Sequence, residues 1–486
     1  MSANTITISP ITRLEGHGKI EIFLNEKGNV ENAYFQVPEL RGFERFCEGR
    51  KAEDLPLITS RICGVCPVAH HFASTKALDA AFNVDPPSAA KKLRELMYSG
   101  YMVYDHTLHF YFLGAPDFVV GPDAPPGERN ILGVIKKVGL DIAKEVIKHR
   151  AYGQRITAII GGKATHPVCG LPGGISKPIT EQERQEIEKM AESSVEFAKF
   201  SLGLFDDVVL KNKNYVDMIL SDAYTLKTYY MGLVDENNRV NFYDGKVRVV
   251  DPSGKEFLKF APHEYLDAIE EHVEPWSYVK YPYLRKLGWK GFVGGPDSGI
   301  YRVGPLGRLN ASEGMATPLA QREYKRMYET LGGKPVHSTL AFHWARLIEL
   351  LYAAERCLEL SRDDEITSKD VRNKPGSPGE GVGIIEAARG TLIHHYTLDE
   401  EALVKRVNLI VATTNNSPAI CMSIRDAAKA LIQGENVTEG LLNKIEMAFR
   451  AYDPCLACAT HFAVGQMPLE INIYDHSRKL LETLGR

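Results

Sequence analysis

The sequence predicts a helix-rich α+β protein, with long central helices and small peripheral β-sheets. Three observations carry that prediction. Long tracts place apolar residues at helical spacing, short alternating runs are confined to a few stretches, and turn-forming residues cluster between them. The 486 residues, 44% hydrophobic and 25% charged, supply an ordinary globular core, either one large layered domain or about three smaller ones.

In chain order, residues 4–37 alternate in short runs, with Ile20, Ile22 and Leu24 on one face and a turn over 26–29. This reads as a β-hairpin or small sheet. A long helix rich in Leu, Met and Tyr is expected over 87–113, opened by Pro87-Ser88. Another, over 180–210, begins Thr180-Glu-Gln-Glu, a capping sequence with acidic residues in its first turn. β-type runs return over 232–260, punctuated by Tyr243-Asp-Gly-Lys and Asp251-Pro-Ser-Gly. Helices resume over 338–360, 422–432 and 438–451. Residues 363–381, dense in proline and glycine, read as an irregular loop. Neither an internal repeat nor a low-complexity tract is found.

Composition excludes several functions. Lys plus Arg number 58 and Asp plus Glu 62, a net charge of −4. So weak a charge gives no general field for nucleic acid or an anionic membrane. No apolar run reaches the roughly 20 residues of a membrane span, and the start lacks the basic and apolar regions of a signal peptide. Eight cysteines are too few for a disulfide scaffold. A cytoplasmic protein that uses some of its thiols chemically is the expectation.

Four of those thiols form two pairs. One lies in Arg61-Ile-Cys63-Gly-Val-Cys66-Pro-Val-Ala-His70 and the other in Asp453-Pro-Cys455-Leu-Ala-Cys458-Ala-Thr-His461. The CxxC spacing lets two thiolates reach one metal from a single turn, and Gly64 frees the backbone to bend around it. Four soft sulfurs suit zinc, an iron–sulfur cluster or another thiophilic transition metal. A structural zinc staple is the plain alternative, but zinc ribbons place their pairs roughly 15–20 residues apart, whereas nearly the whole chain separates these. Arg61, Asp453 and the two histidines also surround the thiolates with charge and hydrogen bonds, as a reactive metal needs.

These two stretches resemble the large subunit of the nickel–iron hydrogenases. The resemblance continues, in order and spacing, through Ile11-Thr-Arg-Leu-Glu-Gly-His17, Arg41-Gly-Phe-Glu44, Asp105-His-Thr-Leu-His-Phe-Tyr111, His166-Pro167, Pro172-Gly-Gly174 and Glu386-Ala-Ala-Arg-Gly390, and so covers effectively the whole chain. It implies that residues 1–461 form a hydrogenase large-subunit catalytic domain that cleaves H2 reversibly and heterolytically to two protons and two electrons.

Carried over residue by residue, Cys63, Cys66, Cys455 and Cys458 would hold nickel. Cys66 and Cys458 would also bridge to an iron bearing two cyanides and one carbon monoxide, Fe(CN)2(CO). Arg389 resembles the arginine whose guanidinium overhangs the open metal position. Its bland reading is a buried ion-pair partner for Asp105 or Asp453, and both readings can hold together. Glu15 resembles the glutamate that takes a proton from the terminal cysteine of the second pair, against a bland reading as a surface carboxylate on a strand. Thr413, in Val411-Ala-Thr-Thr, aligns with the hydroxyl that hydrogen-bonds a cyanide. Glu44 and His461 match residues that bind magnesium or a similar ion, with a backbone carbonyl as a further ligand that sequence cannot identify; an ordinary His461 would cap a turn. The chain departs from the family at Ala388, where proline is usual, which should leave the arginine in place but alter packing or rigidity around the iron's diatomic ligands.

Cys47, Cys169, Cys357 and Cys421 read as buried small hydrophobes. His70 and His109 fall in family blocks and are placed near the site by hydrogen bonding; His71, His106, His166, His394 and His395 read as core or surface residues. Leu469, Ile471 and Ile473 alternate as a terminal strand would. The resemblance implies instead that residues 462–486 are an extension removed after His461 by a maturation endopeptidase once nickel is in place.

No further cysteine cluster is present to bind an iron–sulfur centre, so electrons must leave through an iron–sulfur small subunit. Gly379-Glu-Gly381 runs on to Ile384 where a dinucleotide fingerprint needs glycine. NAD and flavin therefore belong on partner diaphorase or further iron–sulfur subunits. The blocks 41–50, 299–310 and Gly465-Gln-Met-Pro-Leu469 look most like cytoplasmic bidirectional enzymes, either NAD-reducing or linked to heterodisulfide reductase, with the last block leaning to the NAD-linked kind. Three rivals stand beside this reading: a hydrogen-sensing regulatory subunit, the metal-free quinone-site relative in respiratory complex I, and the zinc-stapled structural protein. Sensors generally lack the cleavable extension, and the complex I relative has lost the cysteines.

Overall fold

The computed structural model describes residues 5–434, 437–461, 470–474 and 480–485. Its centre is a stack of long helices. Ser88–Leu108 packs against both Leu140–Gly161 and Phe342–Ser361, and the last of these also packs along Glu181–Phe205. The crossing of the first pair depends on glycine. A Cβ on Gly153 would lie 2.5 Å from the Gly100 carbonyl oxygen, so any side chain there would force the helices apart.

The expected 87–113 helix is present and longer. After Leu108 the chain keeps winding as wider turns over His109–Gly114 and Pro116–Val120. Pro116 cannot donate a backbone hydrogen bond, and its ring clashes with a carbonyl four residues back, which favours a wider turn at that place. The 180–210 helix runs over Glu181–Phe205 and widens in the same way over Asp206–Leu210. Its cap is the one read from sequence: Thr180 Oγ1 accepts from the Glu183 N–H, and Glu183 accepts from the Thr180 N–H.

The N-terminal stretch is a three-stranded antiparallel meander, Thr5–Ile8, Lys19–Leu24 and Val30–Gln36. Ile20 and Ile22 are fully buried, Leu24 is half-buried, and Gly28 takes the left-handed turn position. The 232–260 runs become Tyr229–Val234, Lys246–Val250 and Glu256–Phe260, joined in parallel by Tyr301–Arg302. Helices Phe342–Ser361 and Glu439–Arg450 fall where periodicity puts them, and residues 362–379 form the expected loop. At the tail, Glu470–Tyr474 pairs antiparallel with Leu480–Gly485; Leu469 lies outside the described residues.

Two features go beyond the sequence reading. Glu380–Ala387, Gly390–Leu398 and Val404–Ile410 form a buried antiparallel sheet lying directly on the Pro67–Ala81 helix, where a Cβ on Gly381 or Gly383 would come within 2.2 Å of helix backbone. Buried on both faces over almost their whole length, the first two strands and the helix lose the polar–apolar alternation that announces them. The second is the helix expected over 422–432, which starts at Ala412 and carries Pro418 inside it. Thr413, Thr414, Asn415, Asn416 and Ser417 are poor helix formers. Tertiary hydrogen bonds override that weakness: Asn415 Nδ2 donates to the Thr391 carbonyl, and Asn416 Oδ1 accepts from the Val303 N–H.

One buried ion cluster ties the N-terminus to the C-terminal helix. Asp117 accepts from Arg13 at 2.5 Å and from Arg450 at 2.6 Å, and Arg450 also pairs with Glu446. Although burial opposes ionisation, the two guanidiniums hold the Asp117 carboxyl below its ordinary value. A carboxylate depressed in the folded state stabilises the fold above its unfolded pKa and loses that contribution as pH falls. Asp117→Asn leaves the buried Arg13 without its carboxylate and Arg450 with Glu446 alone, and is expected to cost about 3–5 kcal/mol near neutrality. Thermal melts checking this should show the gap to wild type narrowing as pH is lowered below about 4.

Candidate metal centre

The two CxxC pairs meet in the interior. Cys63 lies in extended backbone after a short turn, and Cys66 caps the Pro67–Ala81 helix. The backbone N–H groups of Val65 and Cys66 point at Cys63 Sγ from 3.2 and 3.4 Å, and the helix start favours negative charge at Cys66. Gly64, expected to supply the bend, is not among the left-handed residues, and a Cβ there would meet open space. The bend comes instead from Cys63 and Cys66 themselves, which lie outside helical geometry on either side of it.

Cys455 is extended and Cys458 lies in the short helix Leu456–Ala459. The N-terminal segment positions this second pair. Glu15 bridges to Cys455 as a strand would, its carbonyl accepting from the Leu456 N–H at 2.9 Å. Gly16 must be glycine, since a Cβ there would stand 2.9 Å from both the Ala457 nitrogen and the Leu456 side chain, at φ +87°.

The four buried sulfurs lie within 4.8 Å of one another. Cys63 to Cys455 is 3.3 Å, Cys66 to Cys458 is 3.4 Å and Cys455 to Cys458 is 2.9 Å. Hydrogen bonds from Cys455, Cys458 and Cys66 hold the Cys63 thiol well below its ordinary range, while burial drives Cys455 and Cys458 well above it. Four thiols this close cannot all ionise in a buried place without a cation to neutralise them. The donor set fits a thiophilic transition metal.

The residues expected around the cysteines converge on them. Glu15 Oε2 lies 2.9 Å from Cys455 Sγ and accepts the Ala457 N–H at 3.1 Å. It is half-buried; burial, then the Cys63 charge, raises its pKa. Arg389 stands at the tip of the hairpin joining Glu380–Ala387 to Gly390–Leu398. It takes both of its sequence-expected partners at once, Asp105 at 3.1 Å and Asp453 at 3.0 Å. Thr413 Oγ1 accepts the Cys455 N–H at 3.0 Å, which leaves its own hydrogen to donate.

Glu44 and His461 form a second group behind Cys458. His461 Nδ1 lies 2.9 Å from the Cys458 carbonyl oxygen, and Nε2 lies 2.5 Å from the Leu409 carbonyl and 3.8 Å from Glu44 Oε1. Burial lowers the His461 pKa to about 4, so the ring is a neutral donor at pH 7.

His70 and His109 are expected from sequence to hydrogen-bond near the site, and their partners are these. His70 Nδ1 pairs with His394 Nε2 at 3.2 Å, which continues to Tyr396 and Ser74. His109 Nε2 reaches the Arg450 carbonyl at 3.0 Å and lies 3.8 Å from Asp453. Cys47, Cys169, Cys357 and Cys421 are buried, and burial raises the pKa of all four.

Sequence reasoning missed Glu271, which pairs with Lys280 at 3.2 Å beside the His461 group, and the Leu409 carbonyl. It also gave no role to Arg308 and Glu349, fully buried behind Arg389. Ordinary strand and helix neighbours flank each of these in sequence, so no local signal marks them.

Four thiols on two turns, roofed by a buried Arg–carboxylate unit and approached by the Glu15 carboxyl, fit a metalloenzyme built around a soft transition metal. Comparison with known proteins identifies the kind: the chain belongs to the nickel-dependent hydrogenase family, whose model matches residues 41–124 and 144–461, with a HoxL-like model over 5–40. It is an oxidoreductase large subunit of that family. It is 50% identical to an F420-non-reducing hydrogenase iron-sulfur subunit of Archaeoglobus profundus, over 99% of both chains. Against the NAD-reducing hydrogenase HoxS subunit beta of Cupriavidus necator it is 38% identical, again over 99% of both. A crystal structure of an NAD+-reducing [NiFe]-hydrogenase in the H2-reduced state superposes with a TM-score of 0.89 at 37% identity, covering 95% of this chain and all of that one. These matches set aside the zinc-stapled and complex I readings. Among the described residues no helix is long and apolar enough to cross a membrane.

Proposed function

We propose that this chain is the catalytic large subunit of a cytoplasmic nickel–iron hydrogenase that interconverts H2 with two protons and two electrons. The observation that carries the reading is the buried four-sulfur cluster with Glu15 at 2.9 Å from Cys455. Cys63, Cys66, Cys455 and Cys458 would hold nickel, and Cys66 and Cys458 would also serve as ligands to an Fe(CN)2(CO) group. When bound, that centre supplies a soft electrophile for dihydrogen.

The chain's own residues do the rest. Cys455 Sγ would take the proton and Glu15 Oε2 receive it, a carboxyl whose pKa is raised by burial and the Cys63 charge. Arg389, fixed by Asp105 and Asp453, keeps a positive charge over the sulfurs and excludes water. Thr413 offers its hydroxyl hydrogen to one cyanide.

Electrons leave through an iron–sulfur small subunit, then pass on to NAD, ferredoxin or another soluble acceptor on further subunits. Among the described residues there is a single four-cysteine group, and the nickel–iron centre uses it. The hollow lined by Glu15, His17, Glu39, Arg41, Arg61 and Gly64 lies beside the cysteines, a suitable face for the small subunit to cover. An infrared spectrum of the protein purified with its partners and its own maturation system tests the assignment. Metal-bound carbon monoxide and cyanide absorb where no protein group does; zinc with no such bands would sink it.

Glu44 and His461, with the Leu409 carbonyl, are proposed as ligands of magnesium or a similar ion, the carboxylate and carbonyl oxygens being the hard donors that such an ion takes. Glu44→Gln should lower magnesium measured in the purified complex, and an unchanged content would remove Glu44 from the site. Residues 1–461 are proposed as the mature catalytic unit, with 462–486 removed by an endopeptidase. The family match ending at His461 supports this. Active, nickel-loaded protein should have an intact mass ending at His461; one retaining 462–486 would refute the cleavage.

A further inference from the structure

We infer that Arg308 and Tyr101 are positioning residues, which set Arg389 over the four sulfurs by gripping the backbone on which it stands. The inference rests on the role given to Arg389 above. Arg389 occupies a two-residue hairpin tip between Ala387 and Gly390, a place where backbone normally drifts. Here it is held at every carbonyl. Tyr98 Oη donates to the Glu386 carbonyl at 2.7 Å, and Arg308 to those of Ala387 at 2.8 Å and Ala388 at 3.3 Å. Asn416 Nδ2 donates to the Arg389 carbonyl at 3.2 Å. The Ala388 N–H, in turn, donates to Tyr101 Oη at 3.3 Å.

Arg308 is the centre of this arrangement. Its Nε and Nη2 form a fork on Glu349, both at 2.6 Å, and its Nη1 meets Glu386 Oε2 at 2.7 Å. With the two carbonyls, all five N–H donors of the guanidinium are used. Glu349 is steadied from the other side by His106 Nε2 at 3.1 Å. Arg308, Glu349 and Glu386 are fully buried. A lysine in place of Arg308 could keep one ion pair but could not span two carboxylates and two carbonyls.

The Ala388 contact explains how this chain accommodates alanine at that position. Alanine leaves a backbone N–H in a dry interior, and Tyr101, three turns into the Ser88–Leu108 helix and one turn before Asp105, supplies its acceptor. One helix therefore holds both the hairpin tip, at the Ala388 N–H through Tyr101, and the Arg389 guanidinium through Asp105. Displacement of a charged group by about 1 Å is enough to slow a reaction severely, so the grip should be visible in turnover.

The test is Arg308→Lys and Tyr101→Phe, each alone and combined with Arg389→Lys, in the purified complex. Arg308→Lys is expected to slow H2 turnover about tenfold, with nickel and iron content unchanged. The infrared bands of the iron's carbon monoxide and cyanide should shift in the same variant. Acting through Arg389, it should add no further loss in the double variant. Losses that multiply, or wild-type turnover with unshifted bands, would overturn the inference. If Arg308→Lys does not fold, Tyr101→Phe decides alone: about threefold slower and non-additive supports it, and either no loss or a multiplied loss overturns it. Should Arg389→Lys itself turn over normally, the role of Arg389 fails and the inference with it. A slow Arg389→Lys beside unaffected Arg308→Lys and Tyr101→Phe overturns the positioning alone.

Discussion

Replacing Cys66 or Cys458 by serine should leave the protein without its nickel–iron centre, and therefore without hydrogenase activity. Both sulfurs are buried and face each other at 3.4 Å, and Cys458 also lies 2.9 Å from Cys455. A serine hydroxyl at either place is a hard donor that keeps its proton at neutral pH, so the site loses both a soft ligand and a negative charge. A change to an outer residue around a metal costs roughly 10–100-fold in affinity or activity; loss of one of the four clustered sulfurs should exceed that. The fold should tolerate the change better than the metal, because the packed helices and the Glu15–Cys455 backbone bridge remain. Elemental analysis of the purified variants reads the outcome. Nickel and iron at wild-type levels with full turnover in either variant would strike that residue from the ligand set.

The cysteines were legible because their chemistry is written in local spacing, and the ends of several elements were legible for the same reason. Thr180 and Glu183 cap a helix by contacts three residues apart, and Gly28 turns a hairpin within one loop. Arg389 was marked by the family resemblance, and the need of a buried guanidinium for carboxylates offered Asp105 or Asp453 as its partner; it takes both. The residues that escaped share a different property: their meaning lies in partners far along the chain. Arg308 matters through Ala387 and Ala388, Glu271 through His461, and the Leu409 carbonyl belongs to no side chain at all. The helix from Ala412 is expected only from 422 because Asn415 and Asn416 are poor helix formers, and they are helical here because Thr391 and Val303 hold them. The first two strands of the 380–410 sheet escaped because burial on both faces erases alternation.

Glu15→Gln should retain the metals and abolish most of the turnover, and this separates the proton path from the metal site. Glutamine has nearly the shape of glutamate. Its amide oxygen can still accept the Ala457 N–H, and its nitrogen can still sit against Cys455 Sγ, so the backbone bridge that positions the second cysteine pair should survive. It cannot, however, take up a proton. Loss of a positioned acid–base group typically costs about 10²–10⁴-fold, and that is the fall expected in H2 uptake with an artificial electron acceptor. Infrared bands and metal content should remain those of the wild type. Glu15→Asp keeps the chemistry but draws the carboxyl back by about 1.5 Å, and should recover part of the rate. Glu15 lines a hollow together with His17 and Glu39, which pair with each other. Wild-type turnover in Glu15→Gln would mean that Cys455 releases its proton by another route. A rate lost together with the metal would mean that Glu15 serves assembly and not transfer.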